Sequence, residues 1–422
     1  MDIAKLKITN PKRQVGQAGL YNYYAGYSQE FSSNILSTAN LPNTGVVFDP
    51  WNGSGTTTTA SSALGISSIG RDINPVMVVA AKANLISRND IGSLKPIGQN
   101  ISKKAKQIGV DNHDTDPLAV WFMPSGVSSI RRLERSIQSL LVSTGQYRHM
   151  HIDSNVAQMS ALAAFYYVAL FRMVRKLLTP FLASNPTWIK KPTSLNQRLR
   201  PSINTVTEQF LTETLDMIKK LSSVSQGKYS HELSQISVGA STNIDLVDSC
   251  IDFVLTSPPY CTRIDYAVAT LPELSILGFD ADSFDKLRRS MIGTTTVQKD
   301  EPARHEKWGK TCCSFLDKMM NHESKASATY YYKNHLQYFD SIFNSLSQIS
   351  RVLKKGGVGV FVVQDSYYKD VYNDLSQVYT EMAMKNNLEL LRKESFQVQR
   401  SMAGLKYKTK YTITESVMCF LK

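Results

Sequence analysis

Cysteine is scarce in this 422-residue chain and shows no pattern. Its five cysteines (Cys250, Cys261, Cys312, Cys313 and Cys419) contain no Cys-x-x-Cys spacing and no even set that could frame a disulfide scaffold. They read as reduced thiols. The adjacent pair Cys312-Cys313, with His305 and His322 nearby, fits no common zinc spacing, so no metal is expected. No run of 18 apolar residues exists, which excludes a bilayer-spanning helix, and Met1-Asp2-Ile3-Ala4-Lys5 does not open a signal-peptide apolar region. A cytoplasmic protein without a membrane partner is the expectation. There is no internal repeat and no low-complexity tail.

Acidic residues are outnumbered: 48 Lys and Arg face 35 Asp and Glu, a formal charge of +13. Such an excess suits a polyanionic partner, nucleic acid first. Residues 101–232 hold 17 basic and 9 acidic side chains, so eight of the thirteen excess charges lie in that third. There Arg131, Arg132 and Arg135 mark a basic helix, and 156–178 reads as one long apolar-aromatic helix carrying Arg172, Arg175 and Lys176 at its end. A Pro-flanked loop over 184–192 follows. Trp188, Lys190 and Lys191 in that loop, with Arg198 and Arg200 beyond it, are candidate nucleic-acid-binding residues, a basic patch with an interleaved aromatic. The bland alternative is a helical subdomain with a solvated basic face.

On either side of this third the pattern is α/β. Residues 45–48 form an apolar strand, followed by the turn Asp49-Pro50-Trp51-Asn52-Gly53-Ser54-Gly55-Thr56 and a helical pattern through Leu64. A second strand over 67–71 ends in Asp72, and another helix follows. The rhythm stops near Arg88 and resumes with a strand over 233–239 and the apolar run 253–255. Then come a helix over 266–277, a polar insertion over 280–332 and a helix over 334–353 stopped at Lys355-Gly356-Gly357. A very apolar strand over 358–363, a helix over 375–385, a strand region over 388–399, a basic loop with Arg400, Lys406, Lys408 and Lys410, and a last strand over 415–421 complete the chain. Near the start, Tyr21 to Tyr27 form an aromatic run. Ser28 is placed to cap a helix over 29–38 in which Phe31, Ile35 and Leu36 share a face. At this length, a core domain with a large insertion, or two domains, is expected.

Two turns carry chemistry. Asp49 at a strand end beside a glycine turn is the opposite of a phosphate cradle, and that turn has no Gly-Lys-Ser/Thr; a carboxylate there suits an amino-bearing ligand. Asp72, ending the second strand of a βαβ unit, is placed to accept from ribose hydroxyls. The other turn is Ser257-Pro258-Pro259-Tyr260, after an apolar strand that ends at Thr256. Two prolines fix two φ angles and remove two N–H donors, which leaves rigid carbonyls as acceptors. With the Ser257 hydroxyl and the Tyr260 ring, this forms a receptor for a planar amino group.

Together, Asp49-Pro50-Trp51-Asn52-Gly53-Ser54-Gly55-Thr56-Thr57 and Ser257-Pro258-Pro259-Tyr260 resemble the DNA amino-methyltransferases, which make N4-methylcytosine or N6-methyladenine from S-adenosylmethionine. The family's first motif has Phe where Trp51 stands. The resemblance covers roughly 20–90 and 233–422. It implies a Rossmann-like class I methyltransferase sheet with a large, mainly helical insertion: 1–87 with the cofactor motif, 88–232 as the basic insertion and candidate target-recognition region, and 233–422 with the catalytic motif and a secondary insertion at 280–332. By this resemblance Asp49 engages the methionine amino group of the cofactor. Pro50, Trp51, Gly53, Ser54, Gly55 and Thr56 line it, Asp72 takes its ribose, and Phe31 belongs to the segment preceding the motif. Ser257, Pro258, Pro259 and Tyr260 are the implied catalytic residues, with the target base flipped from the duplex and stacked on Tyr260. Double-stranded DNA is the implied partner, and the family allows for a cognate restriction endonuclease. Ser before Pro-Pro favours N4 of cytosine over N6 of adenine. Many relatives end the third strand in Gly-Asp; Gly239-Ala240-Ser241 stands here, so the adenine contact expected there lacks its acid. An RNA amino-methyltransferase on the same fold, and a silent methyltransferase-like nucleic-acid-binding subunit, are the alternatives.

Overall fold

The computed structural model describes residues 2–12, 19–21, 26–109, 115–142, 153–183, 188–223, 231–262, 264–298, 302–398 and 413–422. The basic loop with Arg400, Lys406, Lys408 and Lys410, Asn22 to Ala25 of the aromatic run, and Ser184 to Thr187 lie outside the described residues.

Nine strands are described: β1 (Val46–Asp49), β2 (Ser67–Asp72), β3 (Ser234–Val238), β4 (Ile251–Thr256), β5 (Leu353–Gln364), β6 (Ser366–Tyr368), β7 (Val371–Asn373), β8 (Glu389–Gln397) and β9 (Thr414–Leu421). Seven form one sheet in the order β3-β2-β1-β4-β5-β9-β8, and β6 and β7 make a separate hairpin. From β3 to β5 every pairing is parallel, whereas β9 lies antiparallel between β5 and β8. The middle of the sheet is buried on both faces, so the inner stretches of β1, β4, β5 and β9 are mainly apolar while side chains alternate between faces. Phe48, Val254, Phe361, Met418 and Phe420 pack on one face. Val47, Phe253, Leu255, Val360, Val417 and Cys419 pack on the other, with Phe31, Ile35 and Leu36 of the helix Gln29–Thr38. The connection direction reverses between β1 and β4, which opens a crevice at their carboxyl ends.

The insertion is built from the helices Ile91–Gln107, Pro124–Leu141, Asp153–Gln158, Ala161–Leu177 and Ile203–Ser223. Its core is continuous with the sheet's outer layer: Ile101, Leu133, Phe165, Phe171 and Phe210 share one apolar cluster with Val76, Val79 and Ala80 of the helix Pro75–Ala83.

Several elements differ from the sequence reading. The 156–178 helix is broken, because Ser160 accepts from Ala163 N and caps a new start. The 266–277 helix is also two pieces, Tyr266–Ala269 and Leu271–Ile276, where Pro272 cannot continue the hydrogen-bond ladder. Lys355-Gly356-Gly357 does not stop a helix. The helix Tyr332–Val352 ends earlier, and Gly356 N donates to Lys422 O while Lys422 N donates to Gly357 O, which extends β5 back to Leu353. Three of the insertion's arginines are not on a solvated face either. Arg131 pairs with Asp116 and Glu134 and donates to the carbonyls of Ser275 and Ile276; Arg172 pairs with Glu213 and Asp216, and Arg175 with Glu273. Partly buried arginines need such partners, and those of Arg131 and Arg175 tie the insertion to the segment after the Ser-Pro-Pro turn.

Candidate active site

Asp49 ends β1 with its carboxylate buried, 3% exposed. Oδ1 accepts from Thr256 Oγ1 at 2.6 Å and from Trp51 N at 3.1 Å; Oδ2 accepts from Thr57 Oγ1 at 2.6 Å and from Tyr27 Oη at 3.4 Å. Burial pushes its pKa up to about 6, against the pull of these donors. At the end of β2, half-buried Asp72 accepts from Gly53 N at 2.9 Å and Asn74 N at 2.8 Å, and it too is pushed up to about 6 by desolvation, with Asp49 adding like-charge repulsion. Both carboxylates therefore sit where removal from water is offset only in part, a situation that an amino group and a pair of hydroxyls would relieve.

Between them runs the glycine turn. Gly53 has φ 50° and Gly55 φ 85°, so both adopt the left-handed region. A Cβ on Gly55 would stand 2.7 Å from the Ala81 Cβ, so this glycine serves the close approach of the helices Thr56–Ala63 and Pro75–Ala83.

The Ser-Pro-Pro turn leaves the end of β4. Thr256, the last residue of β4, is the one that bonds Asp49, which couples the two turns directly. The Pro259 carbonyl accepts from Tyr338 Oη at 2.9 Å. The Pro258 carbonyl accepts from no group among the described residues. The Tyr260 hydroxyl donates to Glu415 Oε1 at 3.2 Å.

One open cleft of about 950 Å³ collects these groups. It is lined by Asp49, Pro50, Trp51, Gly53, Ser54, Thr56, Asp72, Ser257, Pro258, Pro259 and Tyr260, together with Tyr27, Asn52, Ile73, Asn74, Met77, residues 239–242, Tyr266 and residues 290–292. Two of the residues assigned to the cofactor from the sequence do not line it. Phe31 is fully buried in the core beneath, against the Tyr27 ring at 5.2 Å, and Gly55 faces Ala81. Trp188, Lys190, Lys191 and Arg200 are exposed and Arg198 half-buried on the insertion; none of them lines the cleft, and none of the four cations pairs with an acid among the described residues. Tyr27, the end of the aromatic run, lines the cleft, its hydroxyl proton shared between Leu255 O at 3.1 Å and Asp49 Oδ2 at 3.4 Å. The secondary insertion's Met291 also lines it and carried no signal in the sequence. That segment is held over the turn by Arg288, which pairs with Asp265, and by Tyr330 and Asn334, which donate to the carbonyls of Thr295 and Thr294. Among the described residues no group of His, Cys, Asp or Glu is placed to hold a metal ion, and no helix is long and apolar enough to cross a membrane.

The five parallel strands, the reversed β9 and a carboxylate at the ends of both β1 and β2 decide the architecture. The fold is that of the Rossmann-like methyltransferases. The chain is similar to the Type II methyltransferase M.BsoBI of Geobacillus stearothermophilus, with 24% identity over 298 residues, 66% of this chain and 56% of that protein. It thus spans little more than half the length of that relative. No family model matches the chain. Solved structures align weakly: a Galdieria sulphuraria protein provisionally assigned as a sarcosine dimethylglycine methyltransferase (8% identity, TM-score 0.31, 93% of this chain and 84% of that one) and the rRNA methyltransferase aviRa of Streptomyces viridochromogenes (12%, 0.29, 94% and 86%). Scores this low carry no argument about substrate; the architecture rests on the strand order. The methyltransferase relative and the fold imply S-adenosylmethionine as the methyl donor. The donor set fits it: two acids at adjacent strand ends across a glycine turn, in a cleft walled by Trp51, Ile73 and Met77.

Proposed function

We propose that this chain transfers a methyl group from S-adenosylmethionine to the exocyclic amine of a base in duplex DNA, to N4 of cytosine rather than N6 of adenine. One observation carries the reading: Ser257-Pro258-Pro259-Tyr260 and the Asp49–Asp72 carboxylates share one cleft, with Thr256 bonded to Asp49.

When bound, S-adenosylmethionine supplies a methyl group on a positively charged sulfur. Asp49 receives the ammonium of its methionine part, and Asp72 its ribose hydroxyls through lone pairs not taken by Gly53 and Asn74. A base within the duplex cannot reach the cleft, so it is extruded and stacked on Tyr260. The Ser257 hydroxyl and the Pro258 carbonyl accept the two amine N–H groups, which turns the nitrogen lone pair toward the methyl group. Positioning of this kind, with fixed acceptors that need no reorganisation, is the main contribution the chain makes. Ser257 in place of an acid favours the cytosine amine. The cations Lys190, Lys191, Arg198 and Arg200 with Trp188 hold the DNA backbone, a contact that sets position rather than sequence.

The test is labelled-methyl transfer to unmethylated duplex DNA and, in parallel, to RNA, with Ser257→Ala alongside. Transfer to DNA that the substitution abolishes while cofactor affinity persists is the expected result. Transfer to RNA alone would overturn the choice of polymer, and absence of cofactor binding would overturn the whole reading.

A further inference from the structure

An amine that gains a methyl group must lose a proton, and the Ser257 hydroxyl is too weak a base to keep one. The structure contains a route onward. Ser257 and Tyr260 line the cleft three residues apart on one turn, with the Ser257 side chain near enough to the Tyr260 hydroxyl to favour its ionisation, and that hydroxyl donates to Glu415 Oε1 at 3.2 Å. Glu415 lies on β9, 9% exposed, opposite Gln364 of β5 and Phe396 of β8. Beyond it opens a second cavity that shares Gly26 and Tyr260 with the cofactor cleft and is lined by Asn10, Lys12, Gln364, Gln397 and Glu415. Tyr260 is thus a wall between two chambers, with the reacting amine on one side and a buried carboxylate on the other.

We propose that Glu415 is the terminal proton acceptor of a relay running from the substrate amine through Ser257 and Tyr260. The proposal rests on the reading of the site given above. As the nitrogen–carbon bond forms, the carbon–sulfur bond of the sulfonium donor breaks and its electron pair stays on sulfur. The amine proton passes to Ser257 Oγ, the Ser257 proton to Tyr260 Oη, and the Tyr260 proton to Glu415, which becomes a neutral acid and returns the proton to solvent through the second cavity. Glu415 touches no reacting atom; it acts through Tyr260. The groups facing it are Tyr260 from the turn after β4, Lys12 from the N-terminal segment, Gln364 from β5, and Phe396 and Gln397 from β8. Burial raises its proton affinity above that of an ordinary glutamate, with the Tyr260 hydrogen bond and the Lys12 charge opposing.

Glu415→Gln discriminates the relay from mere packing, because the amide still accepts from Tyr260 but cannot bind the proton. Single-turnover methyl transfer to DNA should slow by about 10²-fold in Glu415→Gln, and Glu415→Asp should recover most of that loss. Glu415→Ala should be rescued by formate in a concentration-dependent way, with affinity for S-adenosylhomocysteine unchanged in all three. A second readout needs no turnover: infrared difference titration of the ligand-free protein against Glu415→Gln should show a carboxyl group protonating above the ordinary glutamate range. A wild-type rate in Glu415→Gln, or protonation of Glu415 in the ordinary range, would overturn the relay. Tight cofactor binding by the wild-type protein without methyl transfer to DNA would overturn the reading of the site, and the relay with it.

Discussion

Replacing Asp49 by Asn should move stability and cofactor affinity in opposite directions. The site places four donors around this carboxylate: Thr256, the Trp51 N–H, Thr57 and Tyr27. An Asn oxygen at the Oδ1 position keeps Thr256 and Trp51. Its NH2 at the Oδ2 position is accommodated because the Thr57 and Tyr27 hydroxyls can turn to accept. The shape and most hydrogen bonds survive, while the buried charge is gone. A pKa raised from 3.8 to about 6 means the folded protein holds the proton more tightly than the unfolded chain. Stability from this group is therefore full at low pH and falls as pH rises toward and past 6, by at most about 3 kcal/mol. Urea denaturation at pH 8 should show Asp49→Asn equal to or more stable than the wild-type protein, with the gain shrinking toward pH 4. Removing one partner of a buried charge pair costs about 2–5 kcal/mol in binding, so calorimetric affinity for S-adenosylmethionine should fall by about 30-fold or more. Unchanged affinity, or a large loss of stability at pH 8, would refute the assignment of Asp49 to the ammonium.

Three further outcomes follow from the same geometry. Affinity of the wild-type protein for S-adenosylhomocysteine should weaken as pH falls through 6, by about tenfold between pH 7.5 and 5, because only about a tenth of Asp49 remains ionised at the lower value; calorimetry across that range checks it. Gly55→Ala, forced to φ 85° with its Cβ against Ala81, should destabilise the fold by about 2–4 kcal/mol, read as a lowered Tm. Removing the four cations Lys190, Lys191, Arg198 and Arg200 together should weaken DNA binding and reduce the slope of log affinity against log salt by about 3.6, with cofactor affinity unchanged.

The strand–turn–helix units were legible because their signals are local. Asp49, the glycine turn and Asp72 lie within 24 residues of one another, and an apolar run ending in Ser257-Pro258-Pro259 places its own strand end. What stayed hidden depends on partners distant in the chain. Glu415 meets Tyr260 across 155 positions, and Tyr27 meets Leu255 across 228. The insertion's arginines show why charge alone misleads: Arg131 and Arg175 look like a nucleic-acid face in sequence, yet their acids, Glu134 and Glu273, are among the most buried in the chain. Gly356 gave a helix-stop signal that was correct for a left-handed residue, φ 76°, but the pairing with Lys422 made it part of a strand.

Methylation of an exocyclic amine at this site would leave a product that can be identified directly. The most direct measurement is nucleoside mass spectrometry of DNA from a methylation-deficient bacterial host expressing the wild-type chain or Ser257→Ala. N4-methylcytosine in the first and none in the second is the expected result. Methylation at a ring carbon, or no methylated nucleoside from a chain that binds S-adenosylmethionine, would contradict it.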